Sequence, residues 1–242
     1  MNIICYLNNG YPNFERSNEI AHAYVEGGAG IIEIDFPARD PYLESPLIQE
    51  RMAKALENCD DYDKYMEELV KLRGELKDTK MFIVIYESTI AEIGPEKFAD
   101  FCLANGFSNL LMVGIDESRG IKKLMIEKGL QVTCYVQFQM LEEEIETAAN
   151  SNGFVYMQYA PAAGQGYVNP KYPTLKDCIQ GLRDHGIKQP IYCGVGVHSP
   201  EDVRIVKESG GDAAFVGSAI LKLQDDIPAM QETIKKFAAM CK

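Results

Sequence analysis

Two acidic side chains stand two positions apart in a strongly apolar segment, Ile31-Ile32-Glu33-Ile34-Asp35. Side chains alternate along a strand, so Glu33 and Asp35 share one face, and in a barrel they point inward if the isoleucines between them point outward. Burying unpaired acids is costly. Two nearby acids also repel, which raises the pKa of one and suits it to general acid/base catalysis. The alternative is a pair of hydrogen-bonded polar residues at the rim of the barrel.

Two glycine turns near the end of the chain predict an anion site. Gly194-Val195-Gly196 precedes Ser199-Pro200, and Gly217-Ser218 follows another apolar segment. Glycine lets backbone N–H groups approach an anion closely, and the phosphate site of α/β barrels lies after strands 7 and 8. Either turn taken alone could be an ordinary tight turn.

The elements that position these residues repeat as helix, glycine and short apolar strand. Eight strands are predicted, at residues 3–7, 31–35, 81–86, 110–113, 132–136, 154–158, 191–193 and 213–216. Near-continuous apolar strands are typical of parallel sheets, and eight strand–helix units favour closure. The sequence therefore predicts a single (β/α)8 TIM barrel over residues 1–242. An open doubly wound sheet is the alternative, disfavoured because no Gly-x-Gly-x-x-Gly follows the first strand.

One excursion interrupts this regular pattern, at residues 37–80 between strands 2 and 3. It is long enough for a loop and two helices instead of one. Ser45-Pro46 and, later, Ser199-Pro200 predict helix starts, because serine caps the first turn and proline tolerates its first position. Loops after barrel strands carry function, so we expect this excursion to contribute to the site.

Composition excludes several classes of protein. The net charge of −12 and the absence of a basic stripe argue against nucleic acid as a partner. The seven cysteines lack the spacing of a metal site, and we expect neither metal nor cofactor. No leader and no apolar run of membrane-spanning length is present, so we expect no membrane association and, by elimination, a cytoplasmic location.

Several motifs resemble the tryptophan synthase alpha chain family. They are Asn8-Asn9-Gly10-Tyr11-Pro12, the strand ending at Asp35-Phe36-Pro37, Asp40-Pro41, and Ser45-Pro46-Leu47-Ile48-Gln49. The resemblance places the family's first catalytic glutamate on Glu33 and its second acid on Glu44. It matches Tyr86 and Tyr156 to active-site tyrosines, and the two glycine turns to phosphate-binding turns.

The resemblance implies a lyase that cleaves indole-3-glycerol phosphate to indole and glyceraldehyde 3-phosphate without a cofactor. Glu33 would move protons between the substrate hydroxyl and indole C3, Glu44 would hold the indole N–H, and Tyr156 would be the third catalytic residue. Backbone N–H groups near Gly196, Gly217 and Ser218 would bind the phosphate, with Tyr86, Gly164 and Gly194 also in the substrate site. The family's partner is a beta chain.

Departures from the family cluster at the expected catalytic mouth. Tyr11 replaces an acid, Asp35 replaces a glycine and would modify the pocket, and Glu44-Ser45 replaces Asp-Gly. The loop at residues 160–166, which includes Gly164, lacks the family's arginine and threonine. The chain begins almost at strand 1, so we expect it to lack the usual N-terminal helix. Beta-chain docking is expected to be weakened. Two alternatives stay open: a diverged lyase or isomerase acting on another phosphorylated substrate, and a non-catalytic, ligand-binding regulator of a beta chain.

Overall fold

The computed structural model describes residues 1–114, 120–161, 164 and 167–242. The strands in that part of the chain are β1 (Asn2–Leu7), β2 (Ile31–Asp35), β3 (Lys80–Tyr86), β4 (Asn109–Val113), β5 (Gln131–Val132), β6 (Cys134–Val136), β7 (Val155–Gln158), β8 (Ile191–Gly194) and β9 (Ala213–Phe215). The helices are α1 (Phe14–Gly27), α2 (Pro46–Asn58), α3 (Tyr62–Glu75), α4 (Glu87–Ile93), α5 (Pro95–Ala104), α6 (Ile121–Glu127), α7 (Glu142–Ala149), α8 (Leu175–Asp184), α9 (Pro200–Glu208), α10 (Gly217–Leu221) and α11 (Ile227–Ala239).

The chain divides into two compact units. The first comprises Met1–Cys5, Gly27–Gly30 and Thr133–Lys242, and the second comprises Tyr6–Glu26 and Ile31–Val132. Strand β1 contributes its first residues to one unit and its last to the other, so each unit is built on a run of strands that begins with β1.

In the second unit the strands follow the order β5-β4-β3-β2-β1. Strands β2 and β3 pair in parallel with Glu33 opposite Phe82 and Asp35 opposite Val84, and Leu110 of β4 is paired with Ile83. Helix α5 packs aromatic side chains on the residue after β2, with the rings of Phe36 and Phe98 5.6 Å apart. This apolar packing fixes the strand that carries both acids.

In the first unit the order is β1-β9-β8-β7-β6, again with parallel pairing. Tyr156 of β7 lies opposite Tyr192 of β8, and Cys193 lies opposite Ala214 of β9. The rings of Tyr156 and Phe215 stack with centroids 4.3 Å apart. Bulky aromatic side chains therefore fill the space beside these short strands.

Both predicted serine caps are present. The Ser45 hydroxyl accepts a hydrogen bond from the Ile48 N–H at the start of α2, and Ser199 forms a reciprocal capping box with Asp202 at the start of α9. Helices α2 and α3 occupy the excursion between β2 and β3.

The expectation of one strand at residues 132–136 was wrong. The structure has two short strands there, β5 and β6, separated at Thr133. The break is also where the second unit ends and the first resumes. No helix in the described residues is long and apolar enough to cross a membrane.

Candidate active site

The acids of β2 are both buried. Glu33 is 7% exposed and Asp35 is 1% exposed, while Ile32 and Ile34 are fully buried on the opposite face of the strand. Alternation along β2 therefore places both carboxyl groups on one side, as the sequence predicted. Buried acids need partners or must keep their protons, and the two side chains meet this demand differently.

The Asp35 carboxylate accepts three hydrogen bonds. Oδ2 accepts from the Tyr6 hydroxyl at 2.8 Å and from Asn8 Nδ2 at 2.7 Å, and Oδ1 accepts from the Asn9 backbone N–H at 2.8 Å. Burial raises the pKa of Asp35 to about 7, although these three donors act in the opposite direction. Asp35 thus anchors the segment that follows β1.

A buried arginine continues this network. The Arg51 guanidinium of α2 donates from one terminal nitrogen to Asn8 Oδ1 at 3.3 Å and lies over the Tyr11 ring, 4.9 Å from its centroid. Arg51 is only 6% exposed. The polar chain Asp35, Asn8, Arg51 and Tyr11 therefore links the end of β2 to α2 through the segment after β1.

Glu33 lies in a different environment. Among the residues that the structure describes, no hydrogen bond to the Glu33 carboxyl group is found. Burial, and next the charges of Glu44 and Asp35, hold the pKa of Glu33 well above its usual range. Burial and the charges of Asp35, Glu44 and Glu33 raise the pKa of the Tyr6 hydroxyl. Burial raises the pKa of Glu33 more than repulsion between the acids does, although the sequence suggested repulsion as the cause.

Glu44 lies in the segment between β2 and α2, and burial raises its pKa. The Tyr86 hydroxyl, at the end of β3, accepts a hydrogen bond from the Leu43 N–H at 3.1 Å. The Tyr42 ring packs edge-on against Tyr86 with centroids 5.6 Å apart. Tyr86 thereby fixes the backbone beside Glu44, and burial raises the pKa of Tyr86 to about 12. The second unit contains all four of these titratable residues, Tyr6, Glu33, Asp35 and Glu44.

The other predicted site residues lie in the first unit. Tyr156 stacks on Phe215 and meets the Tyr135 ring edge-on at 5.4 Å. Gly194 lies under Tyr156, because a Cβ at residue 194 would come within 2.4 Å of the Tyr156 hydroxyl oxygen. The structure thus gives Gly194 a packing reason, while its contact with substrate stays a prediction.

The two glycine turns are joined by a side-chain contact. Val195 and Gly196 both adopt positive φ, at 57° and 114°, and Gly217 begins the short helix α10. His198 Nδ1 lies 3.4 Å from Ser218 Oγ, so one turn touches the other. Glycine turns of this kind let backbone N–H groups approach an anion closely, so the two turns remain the predicted anion site.

Asp202 organises the same turn from the start of α9. Its Oδ2 accepts from the N–H groups of His198 and Ser199 at 2.9 and 2.8 Å, and its Oδ1 accepts from the Tyr159 hydroxyl at 2.8 Å. Sequence reasoning identified the cap but missed Tyr159, as it missed Tyr6 and Arg51 in the second unit. Tyr6 could have been found from the alternation of β1, whereas the contact of Arg51 needs the fold.

The predicted closing loop at residues 160–166 lies largely outside the described residues, which here include only Ala160, Pro161 and Gly164. Gly164 is exposed with a φ of 88° and has open space around its Cα. Within the described part of the chain, no group of three His, Cys, Asp or Glu side chains could hold a metal ion.

Known proteins resemble this chain over its full length. Residues 1–242 match the sequence profile of the tryptophan synthase alpha chain family. The tryptophan synthase alpha chain of Methanosarcina barkeri is 26% identical over 239 residues, which cover 98% of this chain and 88% of that protein. That of Staphylococcus carnosus is 28% identical over 200 residues, covering 81% and 78%.

Solved structures show the same fold. A structure from Aquifex aeolicus superposes with a TM-score of 0.85 at 23% identity, covering 99% of this chain and 92% of that one. The tryptophan synthase alpha subunit of Legionella pneumophila gives 0.81 at 23% identity, with 99% and 92% covered. These folds are TIM barrels, so the predicted fold class is confirmed and the open-sheet alternative is excluded. By its sequence profile, this chain belongs to the tryptophan synthase alpha chain family.

Proposed function

We propose that this protein is a lyase that cleaves indole-3-glycerol phosphate to indole and glyceraldehyde 3-phosphate. The observation that supports the proposal is the environment of Glu33, which the family resemblance matches to the catalytic glutamate: its side chain is buried, and burial raises the pKa of its carboxyl group well above the usual range. Cleavage of a carbon–carbon bond beside an indole ring needs such a proton, because indole is a poor leaving group until C3 is protonated.

In the proposed reaction Glu33 gives up one proton and takes one back, so no other acid or base is needed. Protonated Glu33 gives its proton to indole C3, which forms a cationic indolenine ring. The Glu33 carboxylate then takes the proton of the substrate's side-chain hydroxyl while the carbon–carbon bond breaks. The electrons of that bond restore the indole ring, the hydroxyl carbon becomes the aldehyde, and Glu33 is protonated again.

Glu44 serves as the electrostatic partner of the indole ring in this scheme. Positive charge develops on the ring nitrogen when C3 is protonated, and a carboxylate that accepts the indole N–H stabilises it. Support comes from the Tyr86 contact, which fixes the backbone of Leu43 next to Glu44. A fixed carboxylate stabilises the transition state better than a mobile one, because less reorganisation is needed during the reaction.

We assign the substrate's phosphate to the turns that contain Gly196, Gly217 and Ser218. Their support is the positive φ of Val195 and Gly196 and the contact between His198 and Ser218. Backbone N–H groups bind phosphate without lysine, which suits a protein whose net charge is −12. Tyr156 and Gly164 are assigned to the same substrate from the family resemblance.

The experiment is identification of the products. Purified protein is incubated with indole-3-glycerol phosphate, and indole and glyceraldehyde 3-phosphate are measured separately. We expect both in equal amounts. Phosphate-dependent binding of the substrate without indole would favour the regulator alternative.

One observation favours a second candidate, a lyase or isomerase for a different phosphorylated substrate. Asp35 occupies a position where the family has glycine, and it accepts hydrogen bonds from β1 and from the segment that follows β1. Failure to release indole, together with turnover of another phosphorylated compound that depends on Glu33, would support it.

A further inference from the structure

We infer that Asp35 is a positioning residue for Glu33: it is the first of the two β2 acids to ionise as pH rises, and its charge, together with burial and the charge of Glu44, keeps the proton on Glu33. This inference rests on the proposed function for its catalytic meaning. The assignment of charge and proton concerns the free protein and can be tested without substrate.

The partners of Asp35 require its oxygens to accept. The Asn9 backbone N–H, which faces Oδ1 at 2.8 Å, can only donate. The Asn8 amide nitrogen, which faces Oδ2 at 2.7 Å, can only donate as well. A proton on Oδ1 would be directed at a donor, so the geometry makes Asp35 the more readily ionised of the two β2 acids.

Arg51 fixes the orientation of the Asn8 amide. An asparagine oxygen and nitrogen can be exchanged by a flip, and here that flip would change the argument. Arginine has only donors, so the Asn8 atom that lies 3.3 Å from its guanidinium must be the carbonyl oxygen. The amide nitrogen is then directed at Asp35 Oδ2. The network from Arg51 through Asn8 to Asp35 has one consistent direction of donation.

Glu33 has the opposite surroundings. No donor to its carboxyl group is found in the described part of the chain, and its side chain is 7% exposed. It shares the face of β2 with Asp35, and two side chains two positions apart on a strand are about 7 Å apart. At that distance, in a buried site, an ionised Asp35 strongly opposes ionisation of Glu33.

Other charged or titratable groups face this pair from each neighbouring element. Tyr6 lies on β1, Glu44 on the segment before α2, Arg51 on α2 and Tyr65 on α3. Burial raises the pKa of both tyrosines, which keeps them neutral. The charge of Glu44 opposes ionisation of Glu33 more than that of Asp35 does, and Arg51 reaches the pair through Asn8. Asp35 is the acid with the most donors among them.

The inference gives a physical reason for the acid at position 35. Three donors hold Asp35 where its charge acts on Glu33, and the proposed first step consumes the proton that Glu33 retains. The Asp35 carboxyl group has no role as a proton donor in this scheme, so it acts through Glu33.

The test is a titration of side-chain carboxyl groups by carbon-13 NMR on the full-length protein without substrate. Glu33→Gln identifies the Glu33 signal. We expect Glu33 to be protonated at neutral pH in the wild type, and its midpoint to fall by about one pH unit in Asp35→Asn. Asp60→Asn is the matched control, because Asp60 is an exposed acid of the same unit that pairs with Arg39. It should leave the Glu33 midpoint unchanged.

Two results would overturn the inference: a Glu33 carboxyl group already ionised at neutral pH in the wild type, or an unchanged Glu33 midpoint in folded Asp35→Asn. If that variant does not fold, the order of the two midpoints in the wild type still decides, because ionisation of Glu33 before Asp35 would overturn the inference. If the protein does not have the proposed lyase activity, it releases no indole, but the titration result for Glu33 still stands. If the lyase reaction is present, the pH profile of kcat should shift in Asp35→Asn in the same direction as the midpoint.

Discussion

The buried acids of β2 make stability depend on pH. The pKa of Asp35 rises from 3.8 to about 7 in the folded protein, because burial disfavours its charge more than its donors favour it. Between these two values the unfolded chain has released a proton that the folded chain retains. Stability from this group is therefore complete below the unfolded value and is lost as pH rises through the folded one.

Asp35→Asn should remove that dependence. The free energy of unfolding of the wild type should fall relative to the variant by about 2 to 3 kcal/mol between about pH 5 and about pH 8. Urea denaturation of both proteins at several pH values measures this difference. Asp60→Asn should run parallel to the wild type, and parallel curves for Asp35→Asn as well would contradict the environment described for Asp35.

At this scale the sequence predicted the placement of the acids but not their partners. Alternation alone put Glu33 and Asp35 on one buried face. The donors to Asp35 come from β1 and the segment after it, and Arg51 comes from α2. Such contacts join residues 27 to 43 positions apart, and no local pattern encodes these pairings.

At the scale of elements, the Tyr156 ring of β7 packs against β8 because residue 194 has no side chain. A Cβ there would lie 2.4 Å from the Tyr156 hydroxyl oxygen and 2.5 Å from a ring carbon of Tyr156. Gly194→Ala should therefore displace the Tyr156 ring from its stack on Phe215 and destabilise the fold by about 1 to 3 kcal/mol. Thermal and urea unfolding measure the change.

Gly74→Ala is the matched control for that substitution. Gly74 lies in α3, and a Cβ there would meet nothing within 4 Å. Alanine should be neutral or stabilise α3 by about 0.5 to 1 kcal/mol. Equal effects of the two substitutions would show that packing of Tyr156 does not explain Gly194.

The turns of the first unit should bind an inorganic anion. Soaking crystals with phosphate or sulfate should place the anion on the N–H groups of Gly196, Gly217 and Ser218, because the Asp202 carboxylate accepts from different N–H groups, those of His198 and Ser199. An anion bound elsewhere while these turns stay empty would contradict the assignment.

Caps and strand centres were predictable at this scale, whereas the division of the fifth strand was not. Ser45-Pro46 and Ser199-Pro200 identified two helix starts because the capping residues act locally. Residues 132–136 form one apolar run, so nothing in the pattern separates Val132 from Cys134. The break at Thr133 is set by pairing with different neighbours, Leu110 for Val132 and Val155 for Cys134.

At the scale of the whole molecule, we expect docking to a beta chain to be the property most affected by the departures from the family. The departures lie at residues 42–45 and 160–166, after the strands whose loops dock the partner in the family. Tyr42 and Leu43 are exposed at 52% and 64%. Losing several contact residues of a stable interface can cost a few kcal/mol, about a hundredfold in affinity.

We therefore propose that this chain does not form a tight complex with a conventional beta chain and that its activity is not strongly stimulated by one. Sedimentation of the mixed proteins and indole release, with and without the beta chain, measure both properties. A sub-micromolar complex with large activation would show that the interface is retained.

We also propose that residues 1–242 form a single domain. Cooperative unfolding in one transition would support this proposal.

The central claim is that Glu33 transfers the proton in a lyase reaction on indole-3-glycerol phosphate. Its most direct test is the rate of indole release by the wild type and by Glu33→Gln, measured side by side on proteins shown to be folded. Glutamine keeps the shape of the side chain and removes the transferable proton, so kcat should fall by about a hundredfold or more. Undiminished indole release by Glu33→Gln would contradict the claim.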